Sequence, residues 1–357
     1  MASADWRGIA AEAVDELGRE VGHSGLALVG AEPLTGQASA RGYVRLCLSE
    51  ALPSGETSVM LVLLGDDPMG AEEATSEGLP VDLPFTDVRR FLAGRGVSVP
   101  ELLLDRWREG WQLQTDLGDR TLKACLEGLA RPEFLARMHA GVDFLVDFQV
   151  RIWRDGPERC LAFDRCFDHE LLRWELDHFT EWGLQAWFGA ALDGDALGEL
   201  DHWFDHLAHA LAARGDRLVH RDFQSTNLME TAQGLVLIDF QDAHVGTEAY
   251  DLVAYLRDSY VELTPDELGD LLTRYEAGRA AAGIPVAGDF RDLFHLQTVQ
   301  RKLKDAGRFV FIDRVKGKPG YLPYIEPSLG YVAAALDRLP DYAGLKALLG
   351  RWVPALR

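Results

Sequence analysis

The sequence predicts an α+β fold in two lobes, a small strand-rich lobe over residues 1–117 and a larger, mainly helical lobe over residues 118–357. Short aliphatic runs broken by Gly, Pro and Ser fill the first third, whereas from Pro132 onward apolar residues recur at helical spacing. With 357 residues, 47% of them hydrophobic, the chain can bury a substantial core and leave a cleft between two lobes.

In the first lobe Leu26 to Val29, Tyr43 to Leu48 and Ser58 to Leu64 read as strands. Between the first two, the small-residue run from Leu34 to Tyr43 is a flexible connection that could bring backbone N–H groups to a phosphate, or a plain hairpin. A helix is expected over Asp82 to Arg95, then short strands over Leu102 to Arg106 and Gly110 to Gln114. Asp116-Leu-Gly-Asp119 reads as the hinge between lobes, with main-chain groups around Gln112 to Asp116, including Gln114, placed to bond an adenine.

The second lobe reads as a series of helices. Phe134, Met138, Val142 and Leu145 share one face over residues 133–149. A long helix is expected over Asp168 to Ala191, and others over residues 196–214, 249–257, 265–282, 290–306, 327–336 and 342–348. His202 and His206 stand at i and i+4, but no glutamate follows His202 as in a HExxH zinc motif, so an ordinary amphipathic helix is expected. Trp174, Trp182 and Trp187 are expected to pack the larger lobe, with Trp182 the one nearest the cleft mouth.

Composition narrows the partners. The 57 acidic residues exceed the 36 basic ones, a formal charge of -21, which argues against nucleic acid and against an anionic membrane surface. The four cysteines form no CxxC pair, the first residues lack the pattern of a signal peptide, and no apolar run is long enough to span a bilayer. A cytoplasmic, reducing setting is the expectation; the oligomeric state stays open.

The chemistry concentrates in two adjacent segments. His220-Arg221-Asp222 is followed after five residues by Asn227, and the apolar run Leu235-Val-Leu-Ile ends in Asp239. Transfer of the terminal phosphoryl group of ATP needs a carboxylate to orient the acceptor hydroxyl and oxygen ligands to hold Mg2+ against the phosphates. The kinase arrangement has an aspartate, an asparagine at this spacing and a second aspartate after a short strand. Asp222 is therefore the candidate hydroxyl-orienting catalytic residue, with Asn227 and Asp239 the candidate metal ligands. His220 and Arg221 are expected to hold the loop, Asp242 to support it or lie near the metal, and Asp251 to brace it through hydrogen bonds. Kinases place a phosphate-binding lysine on a strand of the first lobe, yet Ser58 to Leu64 contains none. Arg41 and Arg45 alternate on one strand face and are the candidates to replace it.

These segments resemble the aminoglycoside-phosphotransferase-like kinases, and within them the bacterial N-acetylmuramate/N-acetylglucosamine anomeric kinases. The likeness spans nearly the whole chain, from Arg41-Gly-Tyr-Val-Arg45 and Asp116-Leu-Gly-Asp119 through Glu175-Leu-Asp-His178 and Trp182 to Gln300-Arg-Lys-Leu-Lys-Asp305. It implies a protein-kinase-like fold, ATP and Mg2+ as nucleotide and metal, and phosphorylation of the C1 hydroxyl of a small amino sugar. In such kinases the strand lysine is commonly replaced, while Thr115 and Gly183 depart from the family's usual acidic and aromatic residues. For acceptor recognition Glu175, His178 and Glu181 are expected on a cleft-facing stretch, with Arg301 or Lys304 meeting the lactyl carboxylate of a muramate. The other readings are a kinase of an aminoglycoside or another small alcohol, and a noncatalytic nucleotide- or sugar-binding protein.

Overall fold

The computed structural model describes residues 6–23, 25–34, 41–65, 82–154, 156 and 158–357. Five antiparallel strands, β1 (Leu28–Leu34), β2 (Gly42–Leu48), β3 (Ser58–Leu63), β4 (Leu102–Arg106) and β5 (Trp111–Thr115), form one sheet in the order β1-β2-β3-β5-β4. A helix that the reading of the sequence did not include, α1 (Trp6–Glu20), lies on this sheet. Its Ala10, Ala13, Val14 and Leu17 fall at helical spacing and pack with Val44, Leu46, Val59, Leu61 and Leu113 from the strands. The run Leu34 to Tyr43 mostly lies outside the described residues.

Helix α2 (Pro84–Gly94) is inserted between β3 and β4 and turns its apolar stripe the other way. Phe85, Val88, Phe91 and Leu92 join the second, larger core, so this helix ties the sheet to the helical body. Phe85 stacks on Phe240, next to the candidate metal ligand Asp239, at 5.0 Å between ring centroids.

The helical body comprises α3 (Leu122–Leu126), α4 (Arg131–Ile152), α5 (His169–His178), α6 (Gly194–Ala212), α7 (Tyr250–Leu256), α8 (Pro265–Ala281), α9 (Phe290–Arg314), α10 (Ile325–Leu336) and α11 (Ala343–Leu349). Asp168 caps α5 by accepting the Leu171 amide at 2.8 Å, and Thr264 and Glu267 form a reciprocal capping box on α8. The single helix expected over residues 168–191 is in fact α5 followed by a π-helical run, Phe179–Trp187. Helix α9 continues eight residues beyond the expected end at Ala306, to Arg314. It packs on α5, the π-helical run, α7 and α10 and forms the axis of the lobe.

Four short strands carry the loops of interest. β6 (Gly215–Val219) pairs with β9 (His244–Thr247), and β7 (Leu228–Thr231) forms a hairpin with β8 (Gly234–Leu237). This leaves the 220–227 and 238–243 segments side by side at the edge of the helical body, facing the sheet. Among the described residues, no helix is long and apolar enough to cross a membrane.

Candidate active site

The 220–227 loop is held from beneath by buried side chains. Asp251, at the start of α7, accepts the backbone amides of His220 at 2.8 Å and Arg221 at 3.0 Å. The His220 ring donates through Nε2 to the Ile238 carbonyl at 3.0 Å and accepts the Asp222 amide at Nδ1, which joins the two loops. Further along, Asp258 accepts both the amide and the hydroxyl of Ser225. Burial pushes the Asp251 carboxyl up to about 6, against the pull of His220 and the two amides.

Only two described non-glycine residues have positive φ, Arg221 at 81° and Asp239 at 64°. Each flanks or supplies a group of the proposed chemistry. Such conformations cost of order 1–3 kcal/mol and persist where surrounding contacts dictate them. For Arg221 those contacts are Asp251 at its amide and Arg301 at its carbonyl.

Asn227 and Asp239 are adjacent through a backbone bond from the Ile238 amide to the Asn227 carbonyl at 3.0 Å. The Asn227 amide nitrogen donates to the Asp222 carbonyl at 2.9 Å, so its side-chain oxygen is the atom left for a cation. Asp239 accepts one bond, from Gln241, at 2.7 Å. Burial raises its pKa and the nearby Asp222 carboxylate adds to that, which describes a pair of acidic groups suited to a divalent cation. The oxygen donors of Asn227 and Asp239 fit a hard metal ion.

Helix α9 supplies the charge on the other side of Asp222. The Arg301 guanidinium donates to Asp222 Oδ1 at 2.9 Å and to the Arg221 carbonyl at 2.8 Å. Burial works against the charge of Asp222, but Arg301, with Lys304 and Arg221 behind it, holds this carboxyl well below the usual carboxylate range. One turn on, Asp305 is held at about 2; burial opposes its charge and Lys302, Lys304 and Arg301 outweigh that. The reading of the sequence placed Arg301 toward the acceptor sugar and missed its pairing with Asp222, because no local spacing connects residues 79 apart.

These groups open on a cavity of about 990 Å3 between the sheet and the helical body. Its wall includes Arg41, Tyr43, Gln112 and Gln114 above, Asp222, Asn227 and Asp239 at the floor, and His178, Arg301, Lys304, Arg308 and Tyr321 on the far side. His178 stacks on Trp174 at 5.7 Å and has its pKa lowered to about 4, by burial first and then by Arg308 and Lys304. Trp174 and Tyr321 line the cavity and were not singled out for it; Trp182, the tryptophan expected there, packs on His178 and Phe311 instead.

Several expected positions are corrected. Arg45 and Asp116 do not line the cavity but hold each other: the Arg45 guanidinium reaches Asp116 at 2.6 Å and Asp119 at 2.7 Å. Asp116 also accepts the Ser58 hydroxyl at 2.7 Å, so the pair ties β2 and β3 to the segment after β5. Glu175 is fully buried under α9, where it accepts from Gln300 at 2.5 Å and lies 3.9 Å from Lys304. Glu181 is exposed outside the cavity wall, because the π-helical run rotates it away from the cleft-facing stretch. Asp242, expected to support the loop or lie near the metal, stays off the wall, 4.0 Å from Arg165.

Residues 78–284 match the model of the phosphotransferase enzyme family. An N-acetylmuramate/N-acetylglucosamine kinase of Pseudomonas aeruginosa is 32% identical over 270 residues, 74% of this chain and 77% of that one. One of Neisseria meningitidis serogroup B is 34% identical over 259 residues, 71% of this chain and 75% of that one. Among solved structures, an amicoumacin kinase in complex with AMP-PNP, Ca2+ and Ami superposes with a TM-score of 0.55 at 11% identity, covering 87% of this chain and 88% of that one. The chain therefore belongs to the phosphotransferase enzyme family, in the company of the N-acetylmuramate/N-acetylglucosamine kinases, and is an ATP-dependent phosphotransferase with a protein-kinase-like fold.

Proposed function

We propose that this enzyme transfers the terminal phosphoryl group of ATP to the C1 hydroxyl of N-acetylmuramate or N-acetylglucosamine, giving the sugar 1-phosphate, with Mg2+ as its metal. The relatives' names support the sugar class. The observation that carries the rest is the contact between Arg301 and Asp222 at 2.9 Å.

A carboxylate paired in this way stays ionised and is a weak proton acceptor. It can accept a hydrogen bond from the attacking hydroxyl and aim one oxygen lone pair at phosphorus. A hemiacetal hydroxyl is more acidic than an ordinary alcohol, because the ring oxygen withdraws electron density, so it suits a weak base. In the transfer the new bond joins O1 of the sugar to phosphorus and the bond from phosphorus to the ADP oxygen breaks. The hydroxyl proton leaves late, toward Asp222 Oδ2 or a phosphoryl oxygen. Asn227 and Asp239 would hold Mg2+, which when bound neutralises charge on the phosphates. Arg41 lies on the wall nearest the β2 strand and would face the nucleotide phosphates. The lobes, 1–117 for nucleotide and 118–357 for catalysis and acceptor, meet at this cavity.

On the acceptor side three cations, Arg301, Lys304 and Arg308, share the wall with one carboxylate, Asp305, while Glu175 and Glu181 do not reach it. That polarity favours an acceptor with an anionic group, such as the lactyl carboxylate of a muramate on Lys304, over a polycationic aminoglycoside. The test is mass-resolved product analysis after incubation with ATP, Mg2+ and a panel of amino sugars, neutral sugars and aminoglycosides. A monophosphate of N-acetylmuramate or N-acetylglucosamine that no longer reacts as a reducing sugar is expected. Phosphate on any other hydroxyl, or on an aminoglycoside alone, overturns the reading.

A further inference from the structure

A second cavity, of about 1270 Å3, lies behind the catalytic loop between α7, α8, α9 and α10. Its chemistry differs from that of a packing defect. Arg257, at the end of α7, lines it and is only 6% exposed. Among the described residues this guanidinium has no carboxylate within ion-pair distance, and its Nε has no hydrogen-bond partner. Its neighbours are the faces of Tyr331, at 4.9 Å, and Phe294, at 5.8 Å. Burying a guanidinium without an acceptor is costly, and two aromatic faces offset only part of that cost.

The surroundings do not supply the missing negative charge. Lys123 and Arg338 also line the cavity, as do Arg291, which is held by Glu276 at 2.7 Å, and His295, whose buried Nδ1 is likewise without a partner. The carboxylates on the same wall, Glu127, Glu262, Asp292 and Asp337, are all exposed, and Asp337 is taken by Lys346. The wall sets four cations, Lys123, Arg257, Arg291 and Arg338, against four exposed carboxylates, so what stands out in a chain with a formal charge of -21 is the one buried guanidinium without a counter-ion. Burial lowers the pKa of Arg257 to about 10, the direction expected for a cation that lacks its counter-ion.

We propose that this second cavity is a binding site for a small oxyanion, a phosphate or a carboxylate group, with Arg257 as its charged floor and Arg338 and Lys123 at its rim. The site is separate from the transfer site but shares a wall with it, since Ser259 and Tyr260 line both cavities. Next to Arg257, Asp258 clamps Ser225 of the catalytic loop at 2.6 Å. An anion at Arg257 therefore binds one residue from a support of the reaction centre, which is the position of an effector and not of a second acceptor.

The test is calorimetric titration of the full-length protein, first saturated with AMP-PNP and Mg2+ so that the transfer site is occupied. Inorganic phosphate and acetate serve as separate probes. The wild-type protein is expected to bind at least one of them with a stoichiometry of one, and which one tells phosphate from carboxylate. Arg257→Gln is expected to weaken that binding by roughly tenfold to a hundredfold, the loss of a charge-assisted contact, with Arg257→Lys in between. Should Arg257→Gln fail to fold, Arg338→Gln, an exposed change, is expected to weaken binding by about threefold. No binding of either probe to the wild-type protein, or binding undiminished in Arg257→Gln or, in its place, Arg338→Gln, overturns the proposal.

Discussion

The guanidinium of Arg301 bonds at once to the carboxylate of Asp222 and to the carbonyl of Arg221, at 2.9 and 2.8 Å. One side chain thus fixes both the charge of the carboxylate proposed to react and the strained backbone beside it. Arg301→Gln is expected to reduce kcat by about 10²–10³, in the range of a lost catalytic alignment. It should also shift the acid limb of the pH–rate profile upward, because burial raises the pKa of Asp222 and, with Arg301 gone, only the weaker pull of Lys304 and Arg221 opposes it. Stopped turnover assays from pH 5 to pH 9 check both, and an unmoved acid limb would show that the pair does not control ionisation.

The two carboxylates of the floor should separate in their effects. Asp222→Asn is expected to keep nucleotide affinity within about twofold while kcat falls by roughly 10²–10⁴. Asp239→Asn should instead weaken nucleotide binding only when Mg2+ is present. Fluorescent-nucleotide titrations with and without the metal distinguish these, and equal behaviour of the two variants would refute the assignment.

The arginines of β2 offer a sharper contrast. Arg41 lies on the cavity wall, whereas Arg45 is held by Asp116 and Asp119. Arg41→Gln is expected to raise KM for ATP by about tenfold with little change in melting temperature. Arg45→Gln leaves Asp116 poorly exposed and without its cation, so it should lower stability by about 2–4 kcal/mol, measured by urea denaturation. A result in which Arg45→Gln alone raises KM for ATP, with stability intact, would restore it as the phosphate-binding residue.

Asp251 makes a prediction about pH. Its carboxyl is raised in the folded protein to about 6 from an ordinary value near 3.8. Between those values the folded state holds a proton that the unfolded state has released, so the contribution of this group to stability falls as pH rises. Asp251→Asn removes that dependence and disturbs one amide contact, at a cost of about 1–3 kcal/mol. The difference between wild type and variant should therefore be larger at pH 5 than at pH 8 in denaturation curves; the opposite order would mean that the carboxyl is not raised.

Gly307 tests how closely α9 must approach. A Cβ there would meet the Phe179 Cα at 2.9 Å and the His178 carbonyl oxygen at 3.0 Å, both backbone atoms that cannot swing aside. Gly307→Ala is expected to cost about 1–3 kcal/mol and to raise KM for the sugar more than for ATP, since His178 and Lys304 would be displaced. Equal changes in the two KM values would locate the strain elsewhere.

How much of this could be read from the chain follows from the reach of each contact. The residues proposed for the chemistry lie within twenty positions of each other and follow a spacing set by local backbone chemistry, and that Asp222, Asn227 and Asp239 share one cavity floor was therefore legible. Four strands of the first lobe were legible as well, from their aliphatic runs, whereas the first, expected over Leu26 to Val29, runs over Leu28–Leu34, where Gly, Glu and Pro break the apolar pattern. The apolar stripe of α1 was present in Ala10, Ala13, Val14 and Leu17 and went unread, because small residues give a weak periodic signal. The pairing of Arg301 with Asp222, and of Arg45 with Asp116, depends on how separate elements dock. Nothing within a short window specifies it. The turn from α5 into a π-helical run, after which Glu181 is off the cavity wall, coincides with close packing of Gly183 and Gly307 against Phe179, a contact between distant segments.

The position of Arg301 along the chain has one more consequence. A polypeptide still emerging from the ribosome presents the whole 220–239 segment long before α9 has been synthesised. Until α9 arrives, Asp222 lacks its partner and the Arg221 carbonyl lacks its donor. Nascent or truncated chains that end before α9 therefore carry the whole proposed reaction motif without the cation that holds it, and are expected to turn over far more slowly than the complete chain.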